Sequence, residues 1–489
     1  MIKMIKYKQN IDFKNETTNL AIGVFTDDKH PLFNQLDEAV SNELSSMLGE
    51  KLVSTKFKDI TPIYSLGSIK AKKIILVGLG KREEYSVAKQ RQVIGKLAKE
   101  AEEDLVLIID TFTSRDTTSA ETSTTAAEAL TLATYKVDSY KTEEPNAKTI
   151  TFYIYSQTDV QLAIERGVIY AEATNHARQL YNEPGNKLTA TILANKVANF
   201  ARHHQLEYTI IEKEEMKQRN MGGIIGVNQG STEPPKVIVV KYQGTADFDN
   251  VTAIIGKGVT FDTGGYCLKP RTGMLGMQGD MGGAASAFGA FEAAVRLHLP
   301  VNLLLVIPTT DNMVSADAIK PGDVLHMMSG KTVEVTNTDA EGRLILADAI
   351  TLAKEAGASQ IIDIATLTGA IIVALGSETT GTFTNNQEFF NQFRQAAELT
   401  DEDIWQMPLF PRDQEALRKS LVADLNNSPV GKPGAIMAAA FLKEFVEDTP
   451  WIHLDIAGTS EIKTNHDLGP KGATGVMVRT ITKYLENQT

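Results

Sequence analysis

A strand-like run at 251–255 passes directly into the glycine-rich segment Gly256-Lys257-Gly258-Val259-Thr260-Phe261-Asp262-Thr263-Gly264-Gly265. A helical pattern rich in Ala and Gly follows at 282–298. A short apolar, β-branched run bounded by glycine reads as a buried strand, and a helix of small residues can pack closely on a sheet. Strand, glycine loop and helix together are the repeating unit of an open α/β sheet, in which ligands sit beyond the carboxyl ends of the strands. The loop carries Lys257 and Asp262. Lys269 and Asp280 lie between it and the helix.

A second junction repeats the arrangement. In Asn337-Thr338-Asp339-Ala340-Glu341-Gly342-Arg343-Leu344, two acids and an arginine alternate ahead of a helical run at 344–354. Alternate side chains of an extended segment share a face, so Asp339, Glu341 and Arg343 are expected to point together. Carboxylates so spaced can share hard divalent cations, and a guanidinium can grip an anion with two hydrogen bonds. Plainer roles stand beside these. The octamer could be a solvated turn, Asp280 a helix N-cap, Asp262 a turn cap, and Lys257 a surface lysine. The metal reading draws its weight from the four acids falling at two strand–loop–helix junctions, where burial without a cation would cost several kcal/mol.

The remaining pattern agrees with an α/β chain. Strands are expected at 20–25, 73–78, 105–110 and 149–155, with helices at 34–48, 83–103 and 118–136. The Thr/Ser-rich tract 111–125 reads as a loop and helix start, and the polar stretch 141–148 as a loop. A helical connector at 159–181 leads to further strands near 207–212, 236–242, 251–256, 301–307, 361–365 and 451–456. The expected architecture is two α/β domains, 1–158 and the larger 159–489, each a mostly parallel or mixed sheet flanked by helices.

Composition narrows the function classes. The 489 residues are 42% hydrophobic, enough for sizeable cores, and the net charge of −12 argues against a broad face for nucleic acid. Cys267 is the one cysteine, so no intrachain disulfide can form, and a reducing cytoplasm is expected. The N-terminus lacks the apolar core of a signal peptide. No apolar run reaches the roughly 18 residues of a membrane helix. Val77-Gly78-Leu79-Gly80 is half a dinucleotide fingerprint and reads as a tight turn. His203-His204 closes a helix, His453 reads as a core histidine, 212–215 as a solvated helix face, and Cys267 as a small buried hydrophobe. H-E-x-x-H, G-x-x-x-x-G-K-[ST] and G-x-S-x-G are all missing from the sequence.

The segments GKGVTFDTGG, LKP, DMGGAA and NTDAEGRL, in this order and spacing, resemble the signature of the leucyl (cytosol) aminopeptidase family, the hexameric two-metal exopeptidases. Residues 182–186, 365–370 and 453–458 add to the resemblance, which covers roughly 160–489. It implies a metallo-aminopeptidase acting on short peptides, with two cations per subunit, Mn2+ or Zn2+. Asp262 and Glu341 would bridge the cations, Asp339 would serve one site, and Lys257 with Asp280 would complete the other. Lys269 would stabilise the oxyanion, and Arg343 would hold a bicarbonate acting as general base. The substrate's free amine would lie near Asp280. Met277, Asn337, Thr366, Leu367 and Gly369 would line the substrate site, with Leu or another apolar residue preferred. The resemblance also implies a homohexamer, a dimer of trimers. Thr263, Tyr266-Cys267-Leu268 and Gly279 depart from it and bear on side-chain preference. Two other readings are an inactive or DNA-binding member of the same family and a different two-metal hydrolase such as a phosphatase.

Overall fold

A computed structural model describes residues 4–138, 140–142, 149–432 and 434–488. Two compact units emerge: the chain up to Asn175 with Thr464–Lys471, and His176–Lys463 with the chain from Gly472 onward. In the first, β1 (Met4–Lys8), β2 (Asn19–Phe25), β3 (Ile60–Tyr64), β4 (Lys73–Gly80), β5 (Leu105–Ile108) and β6 (Thr151–Tyr155) form one sheet in the order β1-β6-β5-β2-β4-β3. All neighbours are parallel except β3, which runs antiparallel to β4 at the edge. An edge is where a strand tolerates a proline, here Pro62. The helix expected at 34–48 is two, α1 (Pro31–Ala39) and α2 (Glu43–Gly49), because Ser41 and Asn42 take φ of 60° and 67°. Capping side chains at Ser86 and Thr118 set the starts of α3 (Val87–Glu100) and α4 (Ser119–Ala133). Of the loop expected at 141–148, positions 143–148 lie outside the described residues.

The connector helix α5 (Gln161–Asn182) lies mostly in the first unit, which divides from the second at Asn175. The reason is packing. Val160 and Ile164 are buried in the first unit's core, and a Cβ on Gly167 would lie 2.1 Å from the Thr124 carbonyl of α4.

The second unit contains α6 (Ala190–His203), β7 (Glu207–Ile211), α7 (Lys213–Gln218), α8 (Gly222–Asn228), β8 (Lys236–Gln243), β9 (Val251–Gly256) and β10 (Gly258–Asp262). There follow α9 (Arg271–Met274), α10 (Gly282–Arg296), β11 (Asn302–Asn312), β12 (Val324–His326), β13 (Thr332–Glu334), α11 (Gly342–Glu355), β14 (Ala358–Ala365) and α12 (Gly369–Leu375). Strands β15 (Thr380–Thr384), β16 (Ile404–Gln406), β17 (Leu425–Asn426) and β18 (Trp451–Asp455) come last among those that matter here. The main sheet has the order β16-β15-β18-β14-β9-β11-β8-β7, with β10 paired to β11. Its centre, β18-β14-β9-β11, is parallel. Strand β9 is buried along its whole length, as expected of a parallel strand covered on both faces.

Part of the glycine loop is therefore the strand β10, a difference from the sequence expectation. The small residues of α10 act as read: a Cβ on Gly283 would stand 2.1 Å from the Ile364 carbonyl, and one on Gly256 would stand 2.5 Å from Ala284 Cα. His453 is a core residue, with Nδ1 2.6 Å from Asp363 Oδ1. Cys267 is half-buried, not the fully buried hydrophobe expected. No helix among the described residues is long and apolar enough to cross a membrane.

Helix α11 is anchored by Asp348, whose fully buried carboxylate accepts hydrogen bonds from the backbone N–H groups of Gly223 (2.8 Å), Ile224 (3.1 Å) and Met328 (3.0 Å). Asp348→Ala leaves these three donors without an acceptor, and the expected loss is about 3 kcal/mol in a denaturant unfolding experiment. A loss below about 1 kcal/mol would show that the anchor is dispensable.

Candidate metal centre

The site forms where β9, β10 and β14 end. Lys257 follows β9 and is pinned by its backbone: its N–H donates to Ile364 O (3.0 Å), and its carbonyl accepts from Ala284 N (2.8 Å). The buried Nζ stands 2.8 Å from both carboxylate oxygens of Asp280, bonding to Oδ1, and 2.9 Å from Glu341 Oε1. It also donates to Thr366 O at 3.0 Å. Gly342 makes room for this side chain, since a Cβ there would come within 2.6 Å of Lys257 Cε.

Asp262 closes β10. Its Oδ1 accepts from Gly264 N (2.9 Å) and Asn312 Nδ2 (2.8 Å), and its Oδ2 lies 2.8 Å from Lys269 Nζ. So Asp262 does cap a turn, and it does more. Lys269 Nζ is also 2.6 Å from Asp339 Oδ1. Gly264, at φ +85°, lets the loop double back: a Cβ would meet Cys267 O at 2.5 Å and Asp339 Oδ1 at 2.8 Å. Asp280 sits in a single 3-10 turn, Met277–Met281, ahead of α10. It is not the N-cap, because Met281 holds that position. Instead Asp280 Oδ1 accepts from Thr366 Oγ1 at 2.8 Å.

Asp262, Asp280 and Glu341 are buried, and each offers one oxygen within 4.8 Å of the others. With Asp339, four carboxylates contact the two ammonium groups of Lys257 and Lys269, an excess of two negative charges. Burial and the neighbouring Glu341 push the Asp262 carboxyl up to about 6, against the pull of both lysines. Burial raises Asp280 well above the carboxylate range. For Glu341 the burial effect is outweighed by Lys257, and its carboxyl is held low. Burial would strip Lys257 of its proton, but Asp280, Glu341 and Asp262 together hold it charged. Asp280 Oδ2 and Asp339 Oδ1 have no aligned hydrogen-bond donor despite their lysine neighbours. Buried oxygens in this state, on an oxygen-rich set with surplus negative charge, suit hard divalent cations.

The segment 337–343 is a turn, which corrects the extended geometry expected from its alternation. Ala340 N donates to Asn337 O (3.2 Å), and Glu341 is already helical at φ −78°, ψ −36°. Arg343 lies in the first turn of α11. It is buried, its Nη1 donates to Asn427 O at 2.6 Å, and its Nε has no partner. Burial lowers its guanidinium to about 10, so it stays charged at neutral pH.

Of the remaining candidates, Thr366 touches Asp280, and Asn337 Oδ1 accepts from Asp339 N at 2.9 Å within the turn. Leu367 N donates to Asp455 Oδ1 at 3.1 Å, exposed Gly369 begins α12, and Met277 is half-buried at the start of the Asp280 turn. Three further residues shape the site without having been expected there: Asn312, Asn427 and Asp455. Asp455 ends β18 and also receives Thr368 Oγ1 at 2.6 Å. Its signals were its place in the matching segment 453–458 and at a strand's carboxyl end.

The sequence pattern of the cytosol aminopeptidase family matches this chain in its catalytic domain over 175–482 and in its N-terminal domain over 21–144. Among solved structures, the bottromycin maturation enzyme BotP is 30% identical, with a TM-score of 0.84 over 97% of this chain and 99% of its own. Its complex with Mn gives 29% identity and 0.85 over 97% and 100%. A mutant of tomato leucine aminopeptidase gives 30% identity and 0.86 over 99% and 96%. With its catalytic-domain pattern matched over most of its length, the chain belongs to the cytosol aminopeptidase family.

Proposed function

We propose that this chain is a metal-dependent aminopeptidase that releases N-terminal residues, leucine and other apolar ones foremost, from short peptides. The observation that carries the reading is the buried convergence of Asp262, Asp280 and Glu341 on one another, with Lys257 against Asp280 and Glu341 and Lys269 against Asp262 and Asp339. Asp262, Glu341, Asp339, Lys257 and Asp280 would together hold two divalent cations. Two divalent cations, Mn2+ or Zn2+, would supply a Lewis acid for the scissile carbonyl and water that ionises near neutral pH. Manganese is favoured by the relative solved with it.

The chain's own groups account for the rest. A cation's charge disfavours a neighbouring ammonium, so Lys257 would lose its proton and act as a neutral amine. Lys269, held between Asp262 and Asp339, would stay charged and stabilise an oxyanion. Asp280 would receive the substrate's free α-amine, which would account for exopeptidase action. A permanently charged Arg343 is no base. With the N-terminus of α11 it would hold bicarbonate, which supplies one. Met277, Asn337, Thr366, Leu367 and Gly369 would line the first side-chain pocket. An apolar pocket discriminates by only about 1–3 kcal/mol per methylene, so preference would be broad. A homohexamer working in the cytoplasm completes the reading. BotP, named for bottromycin maturation, favours a second reading of the substrate, a dedicated peptide precursor.

The direct test compares aminoacyl-anilides, N-acetyl-leucyl-anilide and aryl phosphates, before and after chelation. Hydrolysis of the free-amine substrates alone, abolished by chelation and restored by Mn2+ or Zn2+, is expected. Undiminished turnover in the chelated protein, or equal cleavage of the acetylated substrate, would sink the reading. Arg343→Ala is expected to lower turnover about 10²–10⁴-fold, the usual worth of general-base help, while metal content is kept. Bicarbonate depletion should slow the wild type reversibly and leave this variant nearly unaffected. Loss of metal from the variant would instead place Arg343 in the framework of the cation site.

A further inference from the structure

Asn312 ends β11 with 2% of its surface exposed. Its Nδ2 donates to Asp262 Oδ1 at 2.8 Å and to Thr338 O at 3.0 Å, so both amide hydrogens are committed. Its backbone carbonyl accepts from Thr263 N (3.0 Å) and Thr263 Oγ1 (2.8 Å). Gly264 N supplies a second bond to Asp262 Oδ1 at 2.9 Å. A carboxylate oxygen offers about two lone-pair sites, so Oδ1 is filled by protein donors. Oδ2 alone is left facing Lys269 Nζ. Thr338 immediately precedes Asp339, and its hydroxyl donates to Gly264 O (2.6 Å) and accepts from Cys267 N (2.8 Å). One amide group thus ties the end of β10, the loop carrying Lys269 and the turn carrying Asp339 and Glu341.

We propose that Asn312 is a positioning residue of the metal centre. By occupying Asp262 Oδ1 and tethering Thr338, it dedicates Oδ2 as the one oxygen Asp262 presents to cations, and it fixes that oxygen relative to Asp339 and Glu341. This rests on the two-cation reading. Groups that orient metal ligands typically contribute 10–100-fold in metal affinity. An aspartate released from Asn312 can rotate and offer both oxygens or neither, and the turn at 337–341 can shift away from it.

The test is a Mn2+ titration of the stripped full-length protein, followed by electron paramagnetic resonance, with wild type, Asn312→Ala and the bulkier Asn312→Leu. The wild type is expected to bind two Mn2+ ions. Both variants should reach the same stoichiometry with half-saturation raised about 10–100-fold, regain hydrolysis at saturating Mn2+, and keep a cooperative melting transition when stripped. Wild-type affinity in either folded variant overturns the inference and leaves the two-cation reading intact. Loss of cooperative melting in both stripped variants also overturns it, by showing a framework role. If the wild type binds no Mn2+, the two-cation reading falls, and the inference with it.

Discussion

The buried ammonium of Lys257 draws together the side chains at the heart of the site. It stands among Asp280, Glu341 and Thr366 O in the interior. Burying an ammonium costs several kcal/mol unless partners surround it. Here the partners come from three separate elements: the turn before α10, the start of α11 and the end of β14. The same contacts bring carboxylates close enough to repel one another. Lys257 and Lys269 offset part of this repulsion, Lys269 by pairing with Asp262 and Asp339.

The fold makes this concentration of charge possible by fixing backbone first. Parallel strands β9 and β14 end side by side, and the small residues of α10 let that helix press against both. Asp348 locks α11 from the opposite side, so Glu341 and Arg343 are presented by a helix that cannot slide. Asp455 holds the segment after β14 through Leu367 and Thr368, and so indirectly the Thr366 carbonyl and hydroxyl that touch Lys257 and Asp280. The acids and lysines of the site, on different elements, are held by interactions of the fold itself.

Legibility from sequence follows the range of the physics involved. The run at 251–256 and the Ala/Gly-rich helix were readable because their signals, burial and close approach, are written locally. Strand β1, Met-Ile-Lys-Tyr-Lys, alternates with lysines and gave no such signal, although it completes a sheet edge. The alternation of Asp339, Glu341 and Arg343 misled on geometry. A period of two aligns side chains only on extended backbone, and here the chain turns at Ala340 and enters a helix at Glu341. The acids and lysines of the centre were nevertheless nameable, since their residue types and spacing carry the chemistry. Asn312 and Asn427 were not: an asparagine at the end of a strand or in a loop is common, and their partners lie 50 residues and 84 residues away in sequence.

On the proposed reading, Lys257, Asp262, Asp280, Asp339 and Glu341 form one centre for two divalent cations. Anomalous diffraction from crystals equilibrated with Mn2+ addresses it most directly. The account predicts two peaks about 3.5–4 Å apart, one within bonding distance of Lys257 Nζ and the other beside Asp339. A single peak, or peaks that leave Lys257 paired only with Asp280 and Glu341, would contradict it.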